Sequence, residues 1–95
     1  MEINITSNGN SNPISLKVDD ANFKVSIVSV LSGGYDGKYT IQYSPDMINW
    51  IDHETAKDVS TNACNNLFFN IPWMRIVSSG RTSGTLTIHV FGSVK

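Results

Sequence analysis

The feature that most constrains this chain is an alternation of apolar and polar residues with a period of two. It is clearest in the run YTIQY, where Tyr39, Ile41 and Tyr43 alternate with Thr40 and Gln42. Successive side chains of a β-strand point to opposite faces, so this pattern predicts a half-buried strand. No segment carries an apolar stripe at helical spacing that is long enough to predict a helix. The sequence therefore predicts an all-β protein.

Further runs of this kind recur between turn-forming residues. The glycine-rich segments 32–37 and 78–84 predict hairpin loops, because glycine and aspartate tolerate the positive φ angles of tight turns. Segment 52–66 has no clear pattern and is expected to be a loop with at most one short strand. Six to eight short strands at such spacing are typical of a sandwich or a barrel. The strand runs lie at 14–18, 23–31, 39–43, 67–71, 73–77 and 85–90.

The first thirteen residues differ from the rest. Segment 1–13 is dense in Asn and Ser and ends in Pro13, which favours an extended or irregular arm. Ile3 and Ile5 alternate with polar residues, so the arm is expected to add a short strand to a sheet edge or to a neighbouring molecule. The rest of the chain, 14–95, predicts a single domain, since 95 residues are too few for two.

Composition excludes several classes of protein. The net charge is -1 and the basic residues are scattered, which argues against binding of nucleic acid. No apolar run is long enough to span a membrane, and no signal-peptide pattern is visible. The single cysteine, Cys64, excludes an internal disulfide and favours assembly in a reducing cytoplasm. Charged residues make up only 16% of the chain, which suits a surface covered by other proteins.

The residues that could perform chemistry do not form a recognisable set. His53 and His89 are the two histidines, and neither belongs to a spacing that predicts a catalytic or metal site. Cys64 stands in the polar segment, where we interpret it as a small loop residue without a tied base. The run SGGYDG lacks the Lys of a phosphate loop and the alternating oxygen ligands of a calcium loop. We therefore expect no catalytic residue, cofactor or metal, and no enzyme activity.

Two stretches of the chain resemble a known family. The run YTIQYSPDMINW and the later run IPWMRIVSSGRTSGTLTIHVFG resemble small tail-, head- or fibre-associated β-sandwich proteins of tailed bacteriophages. The shared pattern is a strand ending in QxSxDxxxW, a polar loop, an Arg-containing strand, a Gly/Ser/Thr hairpin and a final TLTIxV strand. The matching parts here are Gln42, Ser44, Asp46, Trp50, Arg75, the loop 78–84 and the strand 85–90. The resemblance covers 23–91 and implies an antiparallel β-sandwich of jelly-roll or immunoglobulin-like type, with no catalytic role.

The motif positions also have a structural interpretation. Trp50 follows a tight turn, where its indole is expected to cap one end of the core and to need a partner for its N–H. Asp46 is expected to accept hydrogen bonds from the amides of its own turn. Arg75 is expected to bridge to a carboxylate, either Asp46 or Asp52.

The resulting hypothesis is a virion structural protein, a capsid decoration, cement or head-fibre module. It would assemble in the cytoplasm of the host bacterium, act by contact and pair with itself and with phage capsid or tail proteins. The resemblance implies a homo-oligomer, with a homo-trimer as the favoured state. The residues expected at interfaces are Ile3, Ile5, Trp73, Arg81 and Phe91.

An alternative hypothesis is a carbohydrate- or receptor-binding module of a phage tail or fibre. Exposed, coplanar rings near Trp50 or Trp73 would then stack on a glycan. Tyr35, Tyr39 and Tyr43 are further candidates for the same role. Packing is favoured for all five aromatic side chains, because they fall within apolar strand patterns.

Overall fold

The computed structural model describes residues 1–16, 25–67 and 71–92. These residues form β-strands joined by turns and contain no helix. The parts of the predicted strands that fall at 17–24 and 68–70 lie outside the described residues. The strands of the described ranges are β1 (Glu2–Ile5), β2 (Gly9–Asn10), β3 (Ile14–Ser15), β4 (Val25–Ser32), β5 (Lys38–Ser44), β6 (Ile51–Asp52), β7 (Ala63–Leu67), β8 (Trp73–Ser79) and β9 (Thr85–Gly92). The described ranges thus contain nine strands, more than the expected six to eight. The difference comes from β2, β3 and β6, which are only two residues long.

The strands form two antiparallel sheets. The first has four strands in the order β1-β9-β4-β7. The second has five, in the order β2-β8-β5-β6, with β3 also pairing with β8. β2 and β3 occupy different parts of the same edge of β8, since Gly9 pairs with Ser78 whereas Ile14 pairs with Met74. The chain is thus all-β, and its two antiparallel sheets form a sandwich-like arrangement.

The core lies between the sheets and follows the alternation read from the sequence. The predicted inward set of β5 is confirmed: Tyr39, Ile41 and Tyr43 are all buried. Burial raises the pKa of the Tyr39 and Tyr43 hydroxyls, which therefore stay neutral. Both sheets contribute further buried apolar residues: Ile14, Val25, Ile27, Leu67, Met74, Ile76, Leu86, Ile88 and Val90.

The two glycine-rich loops are not hairpins, contrary to the prediction. The loop after β4 leads to β5, and the loop after β8 leads to β9, so each crosses from one sheet to the other. The two loops pack against each other, and a Cβ added to Gly84 would lie 2.1 Å from the backbone nitrogen of Tyr35. Gly84 is needed for this close approach of two backbones rather than for the tight turn of a hairpin.

The N-terminal segment is bound to both sheets of its own chain. β1 pairs with β9, with Glu2 opposite His89 and Ile5 opposite Leu86. The Met1 ammonium donates to the Val90 carbonyl at 3.0 Å. After β1 the chain crosses over, and β2 and β3 add to the edge of β8.

Part of the segment 52–66, expected to be mostly loop, forms an edge strand. β7 pairs with β4, with Cys64 opposite Val28, so the assignment of Cys64 to a loop is wrong. Its side chain is exposed. The pattern was hard to see because the run Ala-Cys-Asn-Asn-Leu has polar residues on both faces of the strand.

Candidate binding surface

The outer face of the second sheet carries the largest group of residues singled out from the sequence. On β8, Trp73 and Arg75 alternate with the buried Met74 and Ile76, so their side chains lie on the outer side. Gln42 lies directly opposite Arg75 on the neighbouring strand β5. We call this surface the tryptophan–arginine face and define it by Gln42, Trp50, Asp52, Trp73 and Arg75.

A chain of polar contacts fixes the guanidinium of this face. The Lys57 ammonium lies 3.7 Å from Asp52 Oδ2, and Asp52 Oδ1 accepts a hydrogen bond of 2.7 Å from Gln42 Nε2. Gln42 Oε1 in turn accepts a hydrogen bond of 2.8 Å from Arg75 Nε. Because Asp52 sets which end of the Gln42 amide faces Arg75, the amide can only accept there.

The indole of Trp50 contacts the same guanidinium. Arg75 Cζ lies 4.2 Å from the centre of the Trp50 ring, which is the geometry of a cation–π contact. The indole N–H donates to the Met47 carbonyl at 3.2 Å, so the partner that Trp50 was expected to need belongs to the preceding turn. The ring lies half-buried under Arg75 on the outer face.

The expected ion pair of Arg75 with Asp46 or Asp52 is not formed. Over 1–16, 25–67 and 71–92, the ion pairs are Lys57–Asp52 and His89–Glu2. Asp52 reaches Arg75 only through the Gln42 amide. The reason is the register of the strands: Gln42 lies between Arg75 and Asp52, since it is paired with both.

Asp46 acts within its own turn. Its Oδ1 accepts from the backbone amides of Asn49 and Ile48, at 2.8 and 2.9 Å, and from the Ser44 hydroxyl at 3.0 Å. The bonds from these two amides hold the pKa of Asp46 well below its ordinary value. The turn includes Met47 at a φ of 62°, a left-handed conformation that is unusual for a residue with a side chain. The turn therefore has one fixed shape, and it carries the Met47 carbonyl that Trp50 uses.

Trp73 lies beside this assembly on β8. Its partners in register are Ser15 on one side and Ser44 on the other, both small. The Trp73 side chain is half-buried. Part of a large apolar ring is therefore presented on the outer face, two positions from Arg75.

The other residues expected at interfaces lie in three separate places. Ile3 and Ile5 are partly buried against the core. Phe91 lies on the outer face of the first sheet, 56% exposed and stacked on His89 with ring centres 6.3 Å apart. Arg81 lies in the loop after β8, where its Nε donates to the Gly84 carbonyl at 2.8 Å. Their roles as contact residues remain predictions.

No converging set of chemical groups is found in the described part of the chain. It holds no group of three or more His, Cys, Asp or Glu side chains that could bind a metal. His53 is engaged locally: its Nδ1 accepts from the Ala56 amide at 2.9 Å, and burial lowers its pKa. A groove of about 270 Å³ is lined by residues 3–12 of the N-terminal segment. Among the described residues, no helix is long and apolar enough to cross a membrane.

Sequence reasoning did not assign a contact to Gln42. It is part of the QxSxDxxxW pattern, and the alternation on β5 places it on the outer side. Its link to Arg75 depends on the pairing of β5 with β8, across 33 residues of sequence. Local patterns carry no signal for that register.

Comparison with known proteins gives no match: no protein-family model, no curated protein and no solved structure is significantly similar to this chain.

Proposed function

We propose that this protein is a structural component of a bacteriophage particle, of the capsid-decoration, cement or head-fibre kind, and that it acts by protein–protein contact. The observation that carries this proposal is the tryptophan–arginine face. Trp and Arg are the residues most enriched at the energetic centres of protein interfaces. Here two Trp side chains and one Arg side chain share an outer sheet face. The sequence resemblance to small phage sandwich proteins supports the proposal independently.

The proposal extends to the type of sandwich. If β2 and β3 are taken as one interrupted edge strand, the sheets have the orders β1-β9-β4-β7 and (β2/β3)-β8-β5-β6. Two four-stranded sheets whose strands alternate along the chain in this way fit a jelly roll better than an immunoglobulin-like fold. Jelly rolls are used in viral capsid proteins and in lectins.

A second contact surface is proposed on the first sheet. Its outer face carries Val28, Val30 and Phe91 beside Ser26 and Thr87. Val30 is 39% exposed and Phe91 is 56% exposed. Two separate faces would allow the chain to contact copies of itself, in a homo-trimer, and a capsid or tail protein at the same time.

The test is cryo-electron microscopy of purified particles of the phage that encodes the chain. The proposal predicts density for this fold on the head or on a fibre, with one of the two faces covered. Size-exclusion chromatography with light scattering gives the oligomeric state of the isolated protein. A monomer that binds no particle component would contradict the proposal.

A second candidate function is recognition of a glycan or receptor. It is favoured by Trp50 and Trp73, which share a face with the polar side chains of Gln42 and Asp52. Against it, Arg75 already covers one side of the Trp50 ring. A glycan array combined with quenching of tryptophan fluorescence separates the two functions. Quenching by a sugar that is lost in Trp73→Ala would favour the glycan, and no quenching by any sugar favours the structural role.

A further inference from the structure

The guanidinium of Arg75 is held in place but has no carboxylate partner within the described residues. Its Nε donates to Gln42, and its Cζ lies 4.2 Å from the centre of the Trp50 ring. Within 1–16, 25–67 and 71–92, its terminal groups Nη1 and Nη2 donate no hydrogen bond. Among the described residues, four of the five N–H donors of Arg75 are thus left without an acceptor.

The carboxylates nearest along this face have other contacts. Asp52 accepts from Gln42 and pairs with Lys57. Asp46 accepts from the amides of its own turn. Neither is free to turn towards Arg75 without giving up those bonds, so the missing partner is not supplied by a small rotation of a neighbouring side chain.

An oriented guanidinium of this kind is suited to binding a carboxylate. Its two terminal nitrogens form a planar fork whose spacing fits the two oxygens of a carboxylate. Binding ordinarily costs the entropy of ordering such a long side chain, but the bonds to Gln42 and Trp50 have already ordered it. The arrangement is therefore preorganised for an acidic ligand.

We propose that Arg75 is the receptor for an Asp or Glu carboxylate of a protein that docks on the tryptophan–arginine face. This inference rests on the proposed function for the statement that the occupant is a protein. Trp73 lies two residues before Arg75 on the same side of β8, about 7 Å away along the strand. It supplies apolar contact area next to the charged group, which is how Arg–carboxylate pairs become shielded from water at interfaces.

The structure favours a protein carboxylate over an acidic sugar. A sugar ring needs a free aromatic side to stack on, and Arg75 occupies one side of Trp50. Small ligands prefer concave pockets, whereas flat faces with Trp and Arg suit protein partners.

The experiment is an NMR titration of the whole chain with two blocked peptides that differ only in having Glu or Gln at alternate positions between glycines. The Glu peptide should shift the Nε–H signal of Arg75 and the indole N–H signal of Trp50, and the Gln peptide should not. Arg75→Lys keeps the charge but loses the fork, so the affinity for the Glu peptide should fall about tenfold. Glucuronate, titrated separately, should give no saturable shift at these two signals.

The matched control removes a positive charge elsewhere. Lys38 is exposed at the start of β5, and Lys38→Gln changes the net charge by the same amount as Arg75→Gln. Arg75→Gln should abolish the shift of the Trp50 indole signal, whereas Lys38→Gln should leave it. Equal weakening by both would overturn the inference, because it would mean unspecific attraction. So would saturable binding of glucuronate that is tighter than that of the Glu peptide.

Folding and function can be separated from this result. A dispersed amide spectrum for Arg75→Lys and Arg75→Gln shows that the fold is intact, and if Arg75→Gln unfolds, the Arg75→Lys comparison still decides. If the chain is found on phage particles but Arg75→Lys and Arg75→Gln are incorporated as well as the wild type, the inference is wrong and the proposed function stands. If the chain is on no particle but the Glu peptide binds as stated, the proposed function is wrong and the carboxylate receptor stands.

Discussion

The two ends of strand β5 are each held by an aspartate, but by contacts of opposite range. At its start, Asp36 accepts from the Thr82 amide at 2.8 Å, from the Thr82 hydroxyl and from the Ser83 amide at 3.2 Å. These bonds join the loop between β4 and β5 to the loop between β8 and β9. At its end, Asp46 accepts from residues two and three positions away.

Hydrogen bonds to an aspartate carboxylate therefore stabilise two different features of the fold. Each carboxylate is held in its charged form by hydrogen bonds: the side-chain bond from Thr82, followed by the backbone bonds, lowers the pKa of Asp36 to about 2. Asp36 links two crossings between the sheets across 46 residues of sequence. Asp46 shapes one turn at the edge of a sheet. Loss of the first should affect the whole fold, and loss of the second mainly the tryptophan–arginine face.

The largest effect is expected from Gly84→Ala, in the loop between β8 and β9 that Asp36 joins to the loop before β5. The added Cβ would lie 2.1 Å from the Tyr35 nitrogen, and Gly84 has a φ of 87°. Overpacking and a left-handed alanine together should lower the free energy of unfolding by about 3 kcal/mol or more. Urea denaturation followed by tryptophan fluorescence measures the change.

Gly80→Ala is the matched control for that change. Gly80 also has a positive φ, of 68°, but a Cβ there meets no atom within 4 Å. It should therefore cost only the conformational penalty, about 1–2 kcal/mol. Equal losses in the two variants would show that the close approach of the loops does not matter.

The next largest effect is expected from Asp36→Ala, compared with Asp46→Ala. Removing Asp36 leaves the Thr82 and Ser83 amides without their acceptor and separates two loops that lie far apart in sequence. Removing Asp46 frees a turn whose ends stay paired through β5 and β6. Thermal unfolding followed by circular dichroism should show the larger fall in Tm for Asp36→Ala. The reverse order would contradict the distinction between the two ends.

This contrast also explains how far the sequence could predict the fold. The alternation at Tyr39, Ile41 and Tyr43 is local, and it correctly placed these side chains in the core. The turn role of Asp46 is local too, and its bonds lie within its own turn. The sequence predicts Asp36 as a turn residue and does not predict its contacts, because its partners lie in a different loop. The prediction of hairpins for the glycine-rich loops is wrong because a glycine-rich stretch carries no information on which sheet follows it.

The tryptophan–arginine face was predictable to the same limited extent. Trp50, Trp73 and Arg75 were singled out from sequence, and they share one sheet face in the structure. The sequence predicts a carboxylate partner for Arg75 on charge alone. The register places the neutral Gln42 opposite Arg75 instead. Register depends on how the two sheets fill the core together, which no single segment determines.

Acid should weaken both ends, in a definite pH range. The folded pKa of Asp36 is about 2. Hydrogen bonds also hold the folded pKa of Asp46 below 3.8, the ordinary value of an aspartate. A lowered folded pKa contributes stability that is complete above the unfolded pKa and is lost as the pH falls towards the folded pKa. Tm should therefore fall between about pH 4 and pH 2 for Asp36, and the loss from Asp46 should begin in the same range, because its unfolded pKa is the same.

The variants identify the groups responsible for this loss. Asp36→Asn and Asp46→Asn should each flatten the fall of the Tm curve below about pH 4. The readout is Tm by circular dichroism at half-unit pH steps. A wild-type curve that both substitutions leave unchanged in shape would show that other carboxyl groups cause the acid loss.

The smallest effect is expected from Met47→Gly, in the turn that Asp46 shapes at the end of β5. Met47 has a φ of 62° and its side chain is 46% exposed, so the substitution removes conformational strain and little packing. Relief of about 1–2 kcal/mol is opposed by about 0.5–1 kcal/mol of added chain entropy, which leaves a net gain of roughly 0.5 kcal/mol in the free energy of unfolding. The carbonyl that accepts from Trp50 belongs to the backbone and is kept.

Met47→Ala retains the Cβ and should be neutral or slightly destabilising. A loss of stability in Met47→Gly greater than that in Met47→Ala would mean that the strain is not relieved by glycine, and that the turn is held by the Met47 side chain as well as by Asp46.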